Sequence, residues 1–362
     1  MGTIKLPFYA RLALTLLAFV LILFLLDRGR NIFIPLIFAL LIAILLYPLN
    51  RLLEKRLRLG RAAAALISVG SFMAALSGFV YFLAVQVISF SEDLPELKKR
   101  FTDMFSGLQH WLSFRFHITT RQQTDYINHS LSKVAETAAY MLSNVFVSVG
   151  SLLLLLVFIF IFTFFMLYHR RLLMKFVLHL FNPRHREKVH EVIVETKAMI
   201  NAYVTGLLIE MLLLTILISV ILLIMGIKYA ILLGVMAAVL NIIPYLGFYT
   251  ALVLSVLVTF ANSSGNTALE VGAIMFGVHL LDSNVLFPRI IGGRVKMNPF
   301  ITIIAVIIGE HLWGVPGMFL FIPIAGIIKL ICERVDGLEA WALLIGVEEA
   351  ERPAKKKIRI EE

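Results

Sequence analysis

Residues 229–269 run for 41 positions without a single Asp, Glu, Lys or Arg. A helix that spans a bilayer needs roughly 20 apolar residues, so this stretch is long enough to cross twice or to turn back inside the membrane. It has company. Residues 12–26, 31–50, 62–91 and 137–168 carry no charge over 15, 20, 30 and 32 residues. Residues 198–227 hold only Glu210, residues 271–288 only Asp282, and residues 297–328 only Glu310. The chain as a whole is 60% hydrophobic and 15% charged, against ~45–50% and ~25% in soluble domains. Such a chain cannot cover its surface with polar groups, and its solvent is lipid.

The spacing predicts an all-α, polytopic integral membrane protein. Lys5 and Arg11 precede the first run in the manner of a signal peptide. No small-x-small cleavage pattern follows Leu26, however, and Asp27-Arg28-Gly29-Arg30 leads straight into the second run, which predicts a retained helix. A net charge of +10 sits beside the apolar runs rather than on a polar domain, which favours a membrane over nucleic acid. One cysteine, Cys332, excludes a disulfide framework and a cysteine-rich metal site.

Basic residues orient the spans. Loop 51–61 has five and one acid, loop 169–197 has seven and three acids, and segment 289–296 has three and none. Segment 92–136 is balanced at six of each. The basic loops are therefore expected in the cytoplasm, with both termini, and 92–136 outside. Residues 229–269 must then begin and end outside. Asn241-Ile-Ile-Pro244-Tyr-Leu-Gly247 breaks that stretch into a 16-residue arm at 229–244 and a shorter one at 247–261. At 1.5 Å per residue neither arm reaches ~30 Å, so a re-entrant hairpin is expected. Residues 299–332, broken at Gly314-Val-Pro316-Gly317, form a second hairpin dipping from inside. About six full spans and two broken or re-entrant hairpins, eight hydrophobic passes in all, satisfy every loop count.

This gives six segments. Residues 1–91 hold three spans and 92–136 an external amphipathic helical segment with Phe101, Met104, Phe105, Leu108, Trp111 and Leu112 on one face. Residues 137–168 form the fourth span and 169–197 a cytoplasmic amphipathic segment. There Asn182-Pro183 reads as cap and first turn, and Val189, Val192, Ile193, Thr196, Met199 and Ile200 follow at helical steps. That helix is expected to lie on the membrane and feed the next span. Residues 198–332 form a core with the two hairpins, and 333–362 a charged cytoplasmic tail.

The familiar enzymatic patterns are missing: no Walker A sequence, no His-Glu-x-x-His and no Gly-x-Ser-x-Gly. The nine histidines have no zinc-ligand spacing. No catalytic residue, metal or cofactor is expected, and the chain is not read as an enzyme. What stands out is polarity inside the apolar runs, where an ionisable group costs at least ~2.5–3.5 kcal/mol at a helix centre and usually faces a cavity or a partner. Glu210 lies mid-span. His279 and Asp282 share a helix face, Asn241 precedes Pro244, and Glu310-His311 precede Gly314. Broken helices expose carbonyls and helix ends, the usual material of a transport site. Asp282 and Glu310, assisted by His279 and His311, are the expected coupling groups, with Glu210 either joining them or only bonding a neighbouring helix. A purely structural pairing of His279 with Asp282 is the competing expectation. Glycines 292–293, 309, 314, 317 and 326 read as close-packing positions.

Several ordered motifs carry a family resemblance. Tyr203-Val-Thr-Gly206, Gly234-Val-Met-Ala-Ala-Val-Leu-Asn-Ile-Ile-Pro-Tyr-Leu-Gly247, Asp282-Ser-Asn-Val-Leu-Phe-Pro-Arg289, Lys296-Met-Asn-Pro299, Gly309-Glu-His-Leu-Trp-Gly-Val-Pro-Gly317 and Ile322-Pro-Ile-Ala325 resemble the autoinducer-2 exporter family, the PerM-like membrane transporters. The resemblance implies a multi-pass transporter of the bacterial inner membrane that assembles as a homo-oligomer, a pentamer being one candidate. Autoinducer-2 export and sodium(lithium)/proton antiport are both found among its members. The expected function is secondary transport or export of a small polar solute or a monovalent cation. An oligomeric passive channel is the alternative.

Overall fold

The computed structural model describes residues 7–92, 99, 150, 152–243, 246–292 and 297–346. The expected external amphipathic face around Trp111, and Pro244 in the first break, lie outside the described residues. Apart from one antiparallel bridge between Met297 and Gly346, the described residues fold into helices. In chain order these are α1 (Phe8–Arg28), α2 (Arg30–Arg56), α3 (Arg61–Glu92), α4 (Leu152–Tyr168), α5 (Arg170–Leu180), α6 (Arg186–Ile224), α7 (Ala230–Leu240), α8 (Leu246–Asn262), α9 (Gly265–Leu281), α10 (Pro299–Trp313), α11 (Val315–Arg334) and α12 (Glu339–Ile345). Six are long and apolar enough to cross a membrane: α1, α2, α3, α6, α11, and α9 continued to Ile290. The bent pair α4 and α5, which meet at 75°, supplies a seventh candidate. This is a polytopic helical membrane protein.

Local chemistry sets the ends. Asn182 accepts a hydrogen bond from the Arg184 amide at 3.2 Å, and Asn298 accepts one from Phe300 at 3.0 Å with Pro299 opening α10. Ser264 caps α9 through the Thr267 amide at 3.2 Å. These satisfy amide donors that have no partner inside the helix. The amphipathic residues after Asn182 do not form a separate surface helix. They open α6, which runs unbroken for 39 residues, or ~58 Å at 1.5 Å per residue. No glycine or proline interrupts Arg186–Asn201, so the backbone has no reason to turn there. The strongly two-faced helix is α5, which sets Leu172, Leu173, Phe176 and Leu180 against Arg170, Arg171 and Lys175.

The arms of the first expected hairpin are α7, 11 residues, and α8, 17 residues, both under the ~30 Å of a hydrocarbon core. The second expected hairpin is unequal. Its first arm, α10, has 15 residues, while α11 has 20 because Pro316 sits in its first turn, where a proline costs no hydrogen bond.

The chain divides into two compact units. The first comprises residues 1–37, 170–206 and 288–362, and the second residues 38–169 and 207–287. The two hairpins therefore belong to different units. In the first unit α10 and α11 pack backbone to backbone: a Cβ on Gly317 would lie 1.9 Å from the Gly309 carbonyl oxygen, and one on Gly309 2.3 Å from that of Gly317. Small residues allow this approach without a hydrophobic driving force between helices. Gly314 joins the arms at φ 63°, ψ −144°, a region open essentially to glycine alone. It is a hinge residue rather than the packing position that its spacing suggested. Trp313 donates from Nε1 to the Leu26 carbonyl at 3.0 Å, the tie that holds α1, none of whose residues is buried. Lys188 pairs with Asp336 at 3.2 Å, and Glu195 with Arg334.

Among the described residues the second unit shows two cores. One joins Ala43 and Leu46 of α2, Ala65 and Val69 of α3 and Leu167 of α4. The larger one joins one stripe from each of four helices: Leu214, Ile218 and Leu222 of α6, Ala230, Leu233 and Ala237 of α7, Ala251 and Val258 of α8, and Val271, Met275 and Val278 of α9. Gly234 lets α7 press on α6, since a Cβ there would lie 2.1 Å from Ser219 Oγ.

Candidate functional site

At one end of the larger core the four stripes turn polar. Continuing the α6 stripe of Leu214 and Ile218 back by four residues reaches Glu210. The α7 stripe, through Ala237, ends four residues on at Asn241. On α9 Met275, Val278 and His279 lead to Asp282, and α8 contributes Phe248 and Ala251. These are the three- and four-residue steps of a helix face. They bring residues 72 positions apart in sequence onto one spot.

Both carboxyl groups are deeply buried, Glu210 at 4% and Asp282 at 5% exposure. Asn241 Nδ2 donates to Asp282 Oδ2 at 3.1 Å. Glu210 lies within hydrogen-bonding reach of Asp282, yet Asp282 Oδ1 has no N–H or O–H donor. No Lys or Arg forms an ion pair with either acid among the described residues. Beside them opens a cavity of about 20 Å³, lined by Leu214, Ile218, Ala237, Ala251, Met275 and Val278 with Asn241, His279 and Asp282 at its polar end. That is room for about one water molecule.

Two local features hold the acids there. Asn241 is presented by the break itself: a Cβ on Gly247 would lie 1.7 Å from the Leu240 carbonyl oxygen, so only glycine lets α8 leave α7 so tightly. Asp282 stands where α9 widens into a π-helical turn over Asp282–Leu286. Ser283 and Asn284 donate back to the carbonyls of His279 and Leu280 at 2.8 Å, a pattern that bends helices, and Pro288 follows with no amide to donate. Wide turns of this kind frequently mark functional sites.

His279 does not hydrogen-bond Asp282. Its ring stacks on Phe248 at 3.7 Å between centroids and 9° between planes, with Nε2 3.5 Å from Ser283 Oγ. The structure thus gathers Glu210, Asn241, Asp282 and His279. Glu310 and His311 belong to the first unit, where both are exposed. Pro316 and Gly317 serve the α10–α11 contact rather than a polar cluster. Phe248 was not visible in the sequence as a site residue, because an aromatic in an apolar run carries no polar signal. No group of three or more His, Cys, Asp or Glu among the described residues has a metal-binding arrangement.

The profile of the AI-2E family transporter matches residues 12–337, most of the chain. The chain belongs to the AI-2E transporter family. Among its relatives is YhhT of Escherichia coli strain K12, 28% identical over 358 residues, covering 96% of this chain and 95% of YhhT. YrrI of Bacillus subtilis strain 168 is 25% identical over 313 residues, covering 83% and 86%. The AI-2 transport protein TqsA of Escherichia coli strain K12 is 24% identical over 328 residues, covering 88% and 90%. The family is one of transport proteins, and membership agrees with a polytopic helical chain whose buried charge sits where a helix breaks.

Proposed function

We propose that this AI-2E family member is a secondary transporter of the bacterial inner membrane that exports a small polar solute of the autoinducer-2 type, or a monovalent cation. The observation that carries this reading is the buried Glu210–Asp282–Asn241 cluster at the broken end of α7, opening onto a cavity inside an apolar bundle. Buried acids without a basic partner are expensive in a membrane, and a water-filled or ion-filled pathway is what relieves them. A cavity of about 20 Å³ admits no organic solute, so passage requires the α7–α8 hairpin or the π-turn of α9 to move, as broken-helix transporters do. The relative TqsA is named for AI-2 transport, which makes a small polar solute the first one to try. The unburied apolar surface of α1 is matched either to lipid or to further copies of the chain in a homo-oligomer.

Purified protein in proteoliposomes, loaded with autoinducer-2 or sodium and given proton or sodium gradients separately, tests the reading. Protein-dependent flux that responds to an imposed ion gradient is the expected result. Flux that follows only the solute's own gradient would make the protein a passive channel, and no flux of any kind would remove the transport reading. The orientation is tested in a Cys332→Ser background. A cysteine at Ser263, between α8 and α9, should react with an impermeant thiol reagent from outside, and one at His185 should not. The reverse labelling would invert both hairpins and place the termini outside.

A further inference from the structure

Glu210 and Asp282 are buried neighbours. A carboxylate accepts hydrogen bonds and cannot donate one; a carboxylic acid can. Asn241 satisfies one oxygen of Asp282 at 3.1 Å. The other, Oδ1, is buried without a donor, and Glu210 is the neighbouring acid. Two carboxylates side by side offer each other only acceptor oxygens, so a hydrogen bond between them requires a proton on one of them. Around the pair α6 offers Glu210 with Leu214 and Ile218, α7 offers Asn241 with Ala237, α8 offers Phe248 and Ala251, and α9 offers Met275, Val278, His279 and Asp282. Among the described residues His279 is the other titratable group facing the acids, and its ring is committed to the Phe248 face.

We propose that Glu210 and Asp282 form one proton-binding site, holding a single proton between their two carboxyl groups in the conformation seen here. The bare proton suits the site better than a metal cation. A sodium ion would find two carboxyls and one amide, and otherwise the carbon of Leu214, Ile218, Ala237, Ala251, Met275 and Val278. Release breaks the O–H bond of the protonated acid and passes the proton to water entering the cavity, which becomes hydronium. The pair is left with two negative charges in place of one. Those charges repel, and they separate unless water or a counter-ion reaches them. Proton loss is thereby tied to opening of the site between α6, α7 and α9. That the proton drives solute movement rests on the transport reading above. Its presence between the two acids does not.

Infrared spectroscopy of the full-length protein in liposomes reads the proton directly, through the C=O band of a protonated carboxyl. Wild type should show this band at neutral pH, lose it reversibly as pH is raised, and keep it when sodium chloride replaces potassium chloride at fixed pH. The double variant Glu210→Gln/Asp282→Asn, purified with unchanged helix content, should lack it. A wild-type spectrum with no such band at neutral pH would overturn the proposal, and this arm needs no variant to fold. A band that survives in the double variant, or one that sodium removes at constant pH, would overturn it as well. If the band behaves as expected but wild-type proteoliposomes show no flux, the proton site stands and the transport reading falls.

Discussion

The two helical hairpins share a sequence logic and differ in what their breaks present. In the α7–α8 hairpin, Gly247 lets the backbone turn on the Leu240 carbonyl, and Asn241 is aimed inward at the buried Asp282. In the α10–α11 hairpin, Gly309 and Gly317 bring the backbones into contact, and the charged pair before the break, Glu310 and His311, is exposed. One break is polar at its centre and the other is closed by glycine. A broken helix near an acid is therefore not yet a site; the acid has to face the break.

The sharpest way to break this comparison is to neutralise one acid from each hairpin region. Asp282→Asn should lower gradient-driven flux by ~10–100-fold, the equivalent of losing a hydrogen bond to a charged group, with protein still in the membrane. Glu310→Gln should stay within about twofold, as an exposed substitution does. Equal losses, read by the same proteoliposome assay, would erase the distinction between the hairpins.

The glycines give the next largest effect, and it falls on stability. Gly317→Ala places a methyl against the Gly309 carbonyl and should destabilise the α10–α11 hairpin by ~1–3 kcal/mol, the range for overpacking. Gly314→Ala meets no neighbour yet forces an L-residue into a glycine-only backbone region, also ~1–3 kcal/mol. Both should appear as a lower midpoint of thermal unfolding in detergent. An unchanged midpoint for Gly317→Ala would mean that the tight backbone contact is not maintained in the membrane.

An effect comparable to or smaller than that of the glycines is expected at Asn241. Asn241→Ala removes the one donor to Asp282 Oδ2 and should cost ~1–3 kcal/mol at most, less if water enters the enlarged cavity. Flux should shift in its pH dependence before it falls in amplitude, since the amide bonds the acid that the proposal makes half of the proton site. Loss of amplitude with an unmoved pH profile would assign Asn241 to solute passage.

Charge-free runs, caps and breaks were all legible in the sequence because each is a local property. The lengths of uncharged stretches fixed a helical, multi-pass chain. Asn182 is cap chemistry visible within a few residues, and Gly247 and Gly314 mark where the hairpins turn. Helical periodicity also put His279 and Asp282 on one face of α9. It could not say which of them a neighbour would occupy, and the ring stack of His279 on Phe248 displaced the expected pairing with Asp282. The meeting of Glu210 with Asp282 was equally out of reach, because a helix repeats its own face every three or four residues and carries no information about the face that packs against it. Only the packing of α6, α7, α8 and α9 around one stripe of Leu, Ile, Ala and Met decided that two acids share a buried pocket. The sequence by itself thus determined a membrane protein with charges that need partners, and the tertiary structure chose the partners, since burial and contact are properties of facing surfaces and not of either strand of sequence alone.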